Sequence, residues 1–461
     1  MSDLYDAGQS PLTVAHRHLS ETDPLYRISL RVAPIALAIG VIAGVACFVW
    51  PVSAAPPLPP PAVPTDPSSP PAPPQSPADQ LEALEKQSRN KEDGEIDLAL
   101  LTDGLRAERE QGITIDVAYK YFSTPKRKFI IADAPGHIQY TRNMVTGASN
   151  ANLIVILVDA RHGIVEQTRR HSIIASLLNI PHVIVAVNKM DLVGYSRDRY
   201  NDIVIDYAEI ARSLGLKDVK YLPISALKGD NIVDRSPAIP WYDGPALLEL
   251  LEQTGLQKDI DPSRGRLSVQ YVIRPQTEDL HDYRGYAGKI SSGTWRKGDL
   301  ITVLPAGLTS RIRSIGTGGN EVDAAIAPQS VILQLEDDID ISRGDLLVNG
   351  DHPPKLEQQF DALVCWMDTK PLIAGNKYLL QLGSRTVRSQ VKDIGYRLDV
   401  NTLERRAAPG QAGLNDIIKI TLRTASPLAF DAYTDLPANG GAILIDETSH
   451  VTVGACLLQT T

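Results

Sequence analysis

Residues 131–140 read IADAPGHIQY and close an apolar run that begins at Phe129. An apolar run that ends in Asp and Pro-Gly is typical of a buried strand leading into a loop. At such a strand end Asp133 can hold a magnesium-bound water, and Gly136 leaves room for a phosphate oxygen to approach its N–H. His137 could orient an attacking water. A simple Pro-Gly turn would give the same pattern, so these residues need support from elsewhere in the chain.

The surrounding sequence alternates between apolar strands and helical stretches up to about residue 253. The predicted strands read KFIIAD, NLIVILVDA, HVIVAVNK and KYLPIS. Continuous apolar strands separated by helices predict a parallel α/β sheet with helices on both faces. Ligands of such sheets bind outside the carboxyl ends of the strands.

Two further polar clusters follow strands of this predicted sheet. NKMD (188–191) follows HVIVAV, and SAL (225–227) follows KYLPI. Asp191 can accept the N1–H and exocyclic amine of guanine, a donor pair that adenine lacks. The stem of Lys189 can lie across the base, Asn188 can brace the loop, and the N–H groups of Ser225 and Ala226 could contact the guanine O6. Three such clusters in this order predict a guanine-nucleotide fold.

Upstream, EREQGITID (108–116) places Thr114 in a polar segment before the strand DVAYKYF. A threonine there could donate its hydroxyl to magnesium when a terminal phosphate is present. An ordinary loop threonine is the alternative.

Composition limits the class of protein. With 461 residues, two to four domains are expected. A net charge of −9 argues against a general nucleic-acid binder. Cys47, Cys365 and Cys456 lie far apart and indicate neither a disulfide framework nor a metal site, so the body of the chain is expected to be cytosolic.

The N-terminal region differs from the rest. Residues 32–50 contain no charge over 19 positions, which is long enough for a transmembrane helix. Arg17, Arg27 and Arg31 precede this segment, which predicts a cytoplasmic N-terminus. A buried core helix, or a signal peptide cleaved near residues 52–54, are the alternatives. Residues 51–78 contain 13 prolines and predict an extended linker, with PPLPPP as a less favoured SH3-type ligand.

After the α/β region the sequence changes to short strands between Gly, Pro and Asp turns, which predicts two antiparallel β-barrels. The expected organisation therefore has six parts. These are a polar segment (1–27), a transmembrane helix (28–50), a Pro-rich linker (51–78), a GTPase-like α/β domain (79–258), barrel domain II (259–353) and barrel domain III (354–461).

Longer phrases carry a resemblance to a known family. LLTDGLRAEREQGITIDVAYKYF, DAPGHIQYTRNMVTGAS, DARHGIVEQTRRHS, NKMDLVGY, SALKGDNI and PWYDGPALLE resemble the GTP-binding large subunit of bacterial sulfate adenylyltransferase, which is similar to elongation factor Tu. RGYAGKISSG and EDDIDISRGDLL extend the resemblance into domain II. The resemblance implies a heterodimer with a small catalytic subunit. That pair makes adenylyl sulfate and pyrophosphate from ATP and sulfate, coupled to GTP hydrolysis in the cytoplasm.

The resemblance also implies roles for individual residues. Contacts to GTP would come from Asp133, Ala134, Pro135, Gly136, Asn188, Lys189, Met190, Asp191, Ser225, Ala226 and Leu227. Thr114 and, through water, Asp133 would hold Mg²⁺, and His137 would position the attacking water. The family usually has Thr where this chain has Ala134. A C-terminal kinase domain, present in some relatives, is not expected here.

One family feature is missing from the sequence. A P-loop, GxxxxGK[ST], wraps phosphates with backbone N–H groups and supplies a lysine, and no such run occurs. GYAGKIS (285–291) has the wrong spacing and lies in the β region. The hydrophobic segment and linker occupy the place of the loop and of the strand before it. The sheet is therefore expected to have a gap with exposed ladder edges, and nucleotide affinity is expected to be low.

Three functions follow from these observations. The chain is the large subunit of sulfate adenylyltransferase, a degenerate membrane-tethered binding protein, or a translation-type GTPase. The sulfate-subunit phrases favour the first. The missing loop suggests an N-terminus replaced by gene fusion, rearrangement or a misread start.

Overall fold

A six-stranded sheet organises the first part of the protein. The computed structural model describes residues 46–52, 117–134, 140–255, 261–275, 283–399, 402, 404–407 and 410–460. The sheet has the order β2-β3-β1-β4-β5-β6. Its strands are β1 (Ala46–Val52), β2 (Ala118–Ser123), β3 (Lys128–Ala134), β4 (Leu153–Asp159), β5 (His182–Asn188) and β6 (Asp218–Pro223).

Burial explains the apolar strands of this sheet. β4 and β5 are parallel neighbours, and nearly every side chain along them is buried. Strands covered on both faces need apolar residues at consecutive positions rather than at alternate ones. The prediction of a parallel α/β sheet from these runs is confirmed.

Four helices accompany the sheet within the described residues. They are α1 (Thr141–Ala148), α2 (Glu166–Leu177), α3 (Arg197–Ser213) and α4 (Leu247–Gln253). The hydroxyl of Ser196 accepts a hydrogen bond from the Arg199 N–H and so caps the start of α3. A short 3-10 turn, Met190–Val193, follows β5. It begins at the edge where the parallel strands end, so it carries part of NKMD to that edge.

The strand between β3 and β4 corrects two of the predictions. Residues 46–52 form β1, whereas a transmembrane helix was expected through residue 50 and a linker from residue 51. β1 also fills the central position of the sheet, where a gap was expected. It pairs antiparallel with both neighbours, Cys47 lying opposite Asp133 on β3 and Val155 on β4. Among the described residues, no helix has the length and apolar character needed to cross a membrane.

Strand propensity and ladder pairing account for this difference. ACFVWPV contains two valines, a phenylalanine and a tryptophan, which favour strands. β3 and β4 both run antiparallel to β1 and so are parallel to one another. Backbone groups along both strands need partners when they are buried. An apolar segment placed between β3 and β4 is therefore stabilised by the backbone hydrogen bonds that it makes to both strands, whether it runs parallel or antiparallel to them.

The first barrel is built from antiparallel strands around a core that contains the fully buried Trp295. Pairing of β10 with β11 closes six strands into a ring. The strands are β7 (Gly265–Ile273), β8 (Gly285–Ser292), β9 (Thr294–Arg296), β10 (Leu300–Leu304), β11 (Leu308–Thr317), β12 (Asn320–Val322), β13 (Ala324–Ile326), β14 (Ser330–Leu335) and β15 (Leu346–Asn349).

The second barrel closes in the same way, through pairing of β18 with β19, and its core contains Trp366. Its strands are β16 (Lys355–Trp366), β17 (Leu372–Ile373), β18 (Lys377–Leu382), β19 (Arg385–Leu398), β20 (Arg405–Ala407), β21 (Gln411–Ala412), β22 (Ile417–Phe430), β23 (Gly441–Ile445) and β24 (Thr452–Gln459). The short helix α5 (Pro437–Gly440) precedes β23. The prediction of two antiparallel barrels is confirmed.

Several predictions fall outside the described residues. They concern residues 1–45 and 53–78, together with Thr114, Pro135, Gly136 and His137.

Candidate functional site

Asn188 joins two of the predicted clusters. It ends β5, and its side chain is buried. Its Oδ1 accepts hydrogen bonds from the Lys189 N–H at 2.7 Å and from the Ala226 N–H at 3.0 Å. A single amide oxygen therefore holds the NKMD and SAL segments together, in agreement with the bracing role expected of Asn188.

Asp191 and Ser225 form the second link between these segments. The fully buried Ser225 donates its hydroxyl to Asp191 Oδ1 at 2.7 Å. This bond fixes the orientation of the carboxylate before any ligand arrives. An ionised carboxylate has about four lone-pair sites, so Asp191 can accept further N–H donors. The pair of donors on guanine matches that capacity.

The other residues of the two clusters differ in exposure. Met190 is fully buried, and its N–H donates to the Ile224 carbonyl at 3.2 Å, so its role is packing. Leu227 is 64% exposed. The N–H groups of Ser225 and Ala226 donate within the protein, to the Asp230 carbonyl and to Asn188. Their contact with guanine O6 stays a prediction, and it requires those amides to be shared with the ligand.

Lys189 makes an ion pair that the sequence reasoning did not anticipate. Its backbone is left-handed, with φ of 64°, and its Nζ lies 3.0 Å from Asp159 Oδ2. Arg161 donates to both oxygens of the same carboxylate, at 3.0 and 2.7 Å. Hydrogen bonds from Arg161 and the charge of Lys189 hold the pKa of Asp159 far below its ordinary value, despite partial desolvation. Asp159 ends β4, so the rule that ligands bind at strand ends would have identified it.

A second layer of polar contacts supports the NKMD segment. Tyr195 donates to Asp230 Oδ2 at 2.7 Å, and Ser236 donates to Asp230 Oδ1 at 2.5 Å. The Trp241 indole N–H donates to the Tyr195 carbonyl at 2.9 Å. Burial, with the neighbouring Asp230 carboxylate, raises the pKa of Tyr195 to about 12, so the phenol keeps its proton as a donor at neutral pH. These bonds hold NKMD and SAL in one arrangement without a ligand.

The phosphate side of the site rests on fewer described residues. Asp133 and Ala134 are buried at the end of β3. Ala46, the first residue of β1, pairs with Ala134, while the last residue, Val52, pairs with Lys128. The carboxyl end of β1 therefore lies at the edge of the sheet opposite to Asp133 and Asn188. A phosphate loop follows the carboxyl end of its strand, so β1 does not deliver one to this edge.

The described residues consequently fit one half of a guanine nucleotide. Asn188, Asp191 and Ser225 suit the base, because a braced carboxylate faces the edge where the strands end. For the phosphates and Mg²⁺, the buried Asp133 is the one predicted side-chain ligand within the described part of the chain. No described strand that ends at this edge is followed by the glycine-rich sequence of a phosphate loop.

Comparison with known proteins gives the family. The family model described as "Elongation factor Tu GTP binding domain" matches residues 78–257. A second family model, "GTP-eEF1A C-terminal domain-like", matches residues 359–459. Among solved structures, that of Sup35 in complex with GDP is similar to this chain, with 26% sequence identity and a TM-score of 0.42. The similarity covers 74% of this chain and 83% of the Sup35 chain.

Curated relatives are more similar in sequence. "Bifunctional enzyme CysN/CysC" of Mycobacterium tuberculosis (strain CDC 1551 / Oshkosh) is 52% identical over 360 residues, and the match covers 78% of this chain but 59% of that protein. "Sulfate adenylyltransferase subunit 1" of Bacteroides fragilis (strain YCH46) is 50% identical over 77% of this chain and 74% of its own. The same name belongs to a protein of Laribacter hongkongensis (strain HLHK9) that is 50% identical over 81% of this chain and 77% of its own. The chain belongs to the family of sulfate adenylyltransferase subunit 1.

Proposed function

We propose that this chain is a guanine-nucleotide-binding subunit of a sulfate adenylyltransferase. The observation that carries the proposal is the assembled base-reading site, in which Asn188 holds NKMD to SAL and Ser225 orients Asp191. Membership of the sulfate adenylyltransferase subunit 1 family supports the reaction that we assign. The chain pairs with a small catalytic subunit that makes adenylyl sulfate and pyrophosphate from ATP and sulfate in the cytoplasm.

The individual ligand roles belong to the same proposal. The Asp191 carboxylate accepts the N1–H and exocyclic amine of guanine, with the stem of Lys189 along the base. Thr114 and Asp133 would hold Mg²⁺, and Gly136 and His137 would face the terminal phosphate and the attacking water. GTP hydrolysis by this chain is expected to be much slower than in relatives that have a P-loop, because positioned donors supply most of the catalysis of phosphoryl transfer.

A second candidate is a binding protein without GTPase activity that keeps its barrels as a docking surface. The direction of β1 favours it, since no phosphate loop follows that strand at the nucleotide edge. The described residues do not support a membrane tether, because residues 46–50 form a strand. A translation-type GTPase is disfavoured by the names of the relatives, which concern sulfate adenylyltransferase.

Reconstitution with a small catalytic subunit tests the proposal. The purified full chain is mixed with that subunit, ATP, sulfate and Mg²⁺, and pyrophosphate release is followed with and without GTP. We expect the chain to bind the subunit and GTP to increase synthesis of adenylyl sulfate. Asp191→Asn should abolish the GTP effect, because the amide loses an acceptor for guanine, while Asp206→Asn on the exposed face of α3 should retain it. Complex formation without any GTP effect would instead support the second candidate.

A further inference from the structure

A carboxylate at the end of β4 holds the lysine of the NKMD segment. We propose that Asp159 is a positioning residue of the nucleotide site, which fixes the ammonium group of Lys189 so that the alkyl stem of this lysine is in place before a purine ring arrives. This inference rests on the proposed function. It adds to that function a residue that lies outside the NKMD and SAL segments.

The sheet places Asp159 beside the loop that carries the lysine. β4 and β5 are parallel, and their last residues, Asp159 and Asn188, are register partners. The Ala160 N–H donates to the Asn188 carbonyl at 2.9 Å, which continues the ladder past the end of β4. Neighbouring strands lie about 4.8 Å apart, and Lys189 Nζ lies 3.0 Å from Asp159 Oδ2. The stem of Lys189 therefore crosses from the end of β5 to the end of β4, along the edge of the candidate site.

The Asp159 carboxylate is itself held by the residues that follow it. Arg161 donates its backbone N–H and its Nε to Oδ1, at 2.9 and 3.0 Å, and its Nη2 to Oδ2 at 2.7 Å. The N–H groups of His162 and Gly163 donate to the Asp159 carbonyl at 3.1 and 2.8 Å. Hydrogen bonds from Arg161 keep the pKa of Asp159 far below its ordinary value, so the group is ionised at neutral pH. Lys189 thus meets a fixed and charged partner.

Arg199 ties this loop to helix α3. Its Nε donates to the Ala160 carbonyl at 2.7 Å, and its Nη2 donates to the Arg161 carbonyl at 3.3 Å. Gly163 has φ of 71°, and a Cβ at this position would lie 3.0 Å from Arg199 Nη2, so the close approach of the two residues favours glycine. The loop around Asp159 is therefore anchored to a helix of 17 residues.

The backbone of Lys189 is fixed as well. Its left-handed φ of 64° is uncommon for a lysine, and its N–H donates to Asn188 Oδ1 at 2.7 Å. Exposed ion pairs usually contribute little, because two mobile side chains must be ordered. Here the carboxylate is already ordered, so only the lysine stem loses freedom, and it does so before binding. Ordering one long side chain in advance should raise the affinity of a ligand by roughly two- to tenfold.

Titration of the full chain with GDP and Mg²⁺ tests this role. Asp159→Asn keeps the shape of the side chain and removes its charge, so we expect the Kd for GDP to rise by roughly two- to tenfold. Inosine 5′-diphosphate, which lacks the exocyclic amine, should weaken by the same factor, because both purines lie against the same stem. Asp191→Asn should instead reduce the preference for GDP over inosine 5′-diphosphate. Asp206→Asn, on the exposed face of α3, should change neither Kd.

A double-mutant cycle separates positioning from a general effect on the loop. Lys189→Met keeps an unbranched stem but removes the ammonium group, so it breaks the same ion pair as Asp159→Asn. The two single variants and the double variant should therefore weaken GDP by the same factor, rather than by the product of two factors. Circular dichroism checks the fold of each variant. If Asp159→Asn does not fold, Lys189→Met alone decides, since unchanged GDP binding in that variant contradicts the inference.

The outcomes distinguish this inference from the proposed function. Unchanged GDP binding in Asp159→Asn would overturn the inference alone, and so would a loss from Asp159→Asn that is equally large in the Lys189→Met background, because the carboxylate would then act on the loop itself. Absence of GDP binding by the unmodified chain would overturn the proposed guanine site and this inference with it.

Discussion

At the scale of single residues, Asn188 is the most constrained position of the candidate site. Its carboxamide is 6% exposed and accepts from two backbone amides on different loops. A buried acceptor that serves two donors cannot be removed without leaving both donors unsatisfied. Asn188 therefore has a structural role that is separate from ligand binding.

Asn188→Ala is expected to destabilise the α/β domain. Each buried amide that loses its acceptor costs about 1–3 kcal/mol, so the free energy of unfolding should fall by about 2 kcal/mol or more. Urea unfolding followed by circular dichroism measures the change. Asn201→Ala, at an exposed position of α3, is the matched control and should change stability by less than about 0.5 kcal/mol. Equal stability of the two variants would refute the bracing role.

At the scale of elements, β1 completes the centre of the six-stranded sheet. It completes the ladders of β3 and β4 from the antiparallel direction, with seven residue pairs to β3 and three to β4. The strand gives the sheet its central member. Its carboxyl end lies at the edge opposite to Asn188, so this strand does not end on the side of the candidate site.

An engineered disulfide can test the register of β1. Cys47 lies opposite Val155, and directly opposite residues of an antiparallel pair have Cα atoms about 4.5–5.5 Å apart, within the range of a disulfide. Val155→Cys should therefore form an intramolecular bond to Cys47 on mild oxidation, detected by mass spectrometry of unreduced peptides.

The control for this experiment is Leu153→Cys. Leu153 lies opposite Val49, two residues away from Cys47, so it should not form the bond. Both substitutions replace a buried residue of β4, which makes their effects on packing comparable. A crosslink in Leu153→Cys, or none in Val155→Cys, would show that β1 does not occupy this register.

At the scale of the whole molecule, the two barrels belong to one compact unit, Gln257–Thr461. Arg266 of the first barrel is fully buried and donates to both oxygens of Asp431 in the second, at 2.8 and 2.9 Å. Asn439 also donates to Asp431, at 2.7 Å. Because the buried guanidinium of one barrel makes two hydrogen bonds to a carboxylate of the other, the stability of each barrel depends on the other.

Asp431→Asn is expected to destabilise both barrels together. Removing one charge from a buried ion pair leaves the other uncompensated and costs roughly 3–5 kcal/mol. Thermal unfolding should show one transition for the two barrels, shifted to lower temperature in the variant. Asp435→Asn, four residues away and exposed, should leave that transition in place. Separate transitions for the two barrels in the unmodified protein would contradict their coupling.

Much of this protein could be predicted from local sequence. The buried strands β4 and β5 are encoded by consecutive apolar runs. The ends of such runs made Asn188, Asp191 and Ser225 candidate site residues, and their binding role stays a prediction. Short strands between turns likewise indicated the two barrels. The family followed from the phrases that contain these residues.

Tertiary structure decided what depends on partners distant in sequence. The apolar segment at residues 46–52 satisfies the composition of a membrane helix and of a strand equally well, and pairing with β3 and β4 selected the strand and its direction. The ion pair of Lys189 with Asp159 and that of Arg266 with Asp431 join residues 30 and 165 positions apart in the sequence, which no local pattern reveals. Local sequence thus determined the buried strands β4 and β5 and the loops that follow them, because these depend on neighbours along the chain. The fold determined at which edge of the sheet the carboxyl end of β1 lies, because that depends on the direction in which a distant strand completes the ladder.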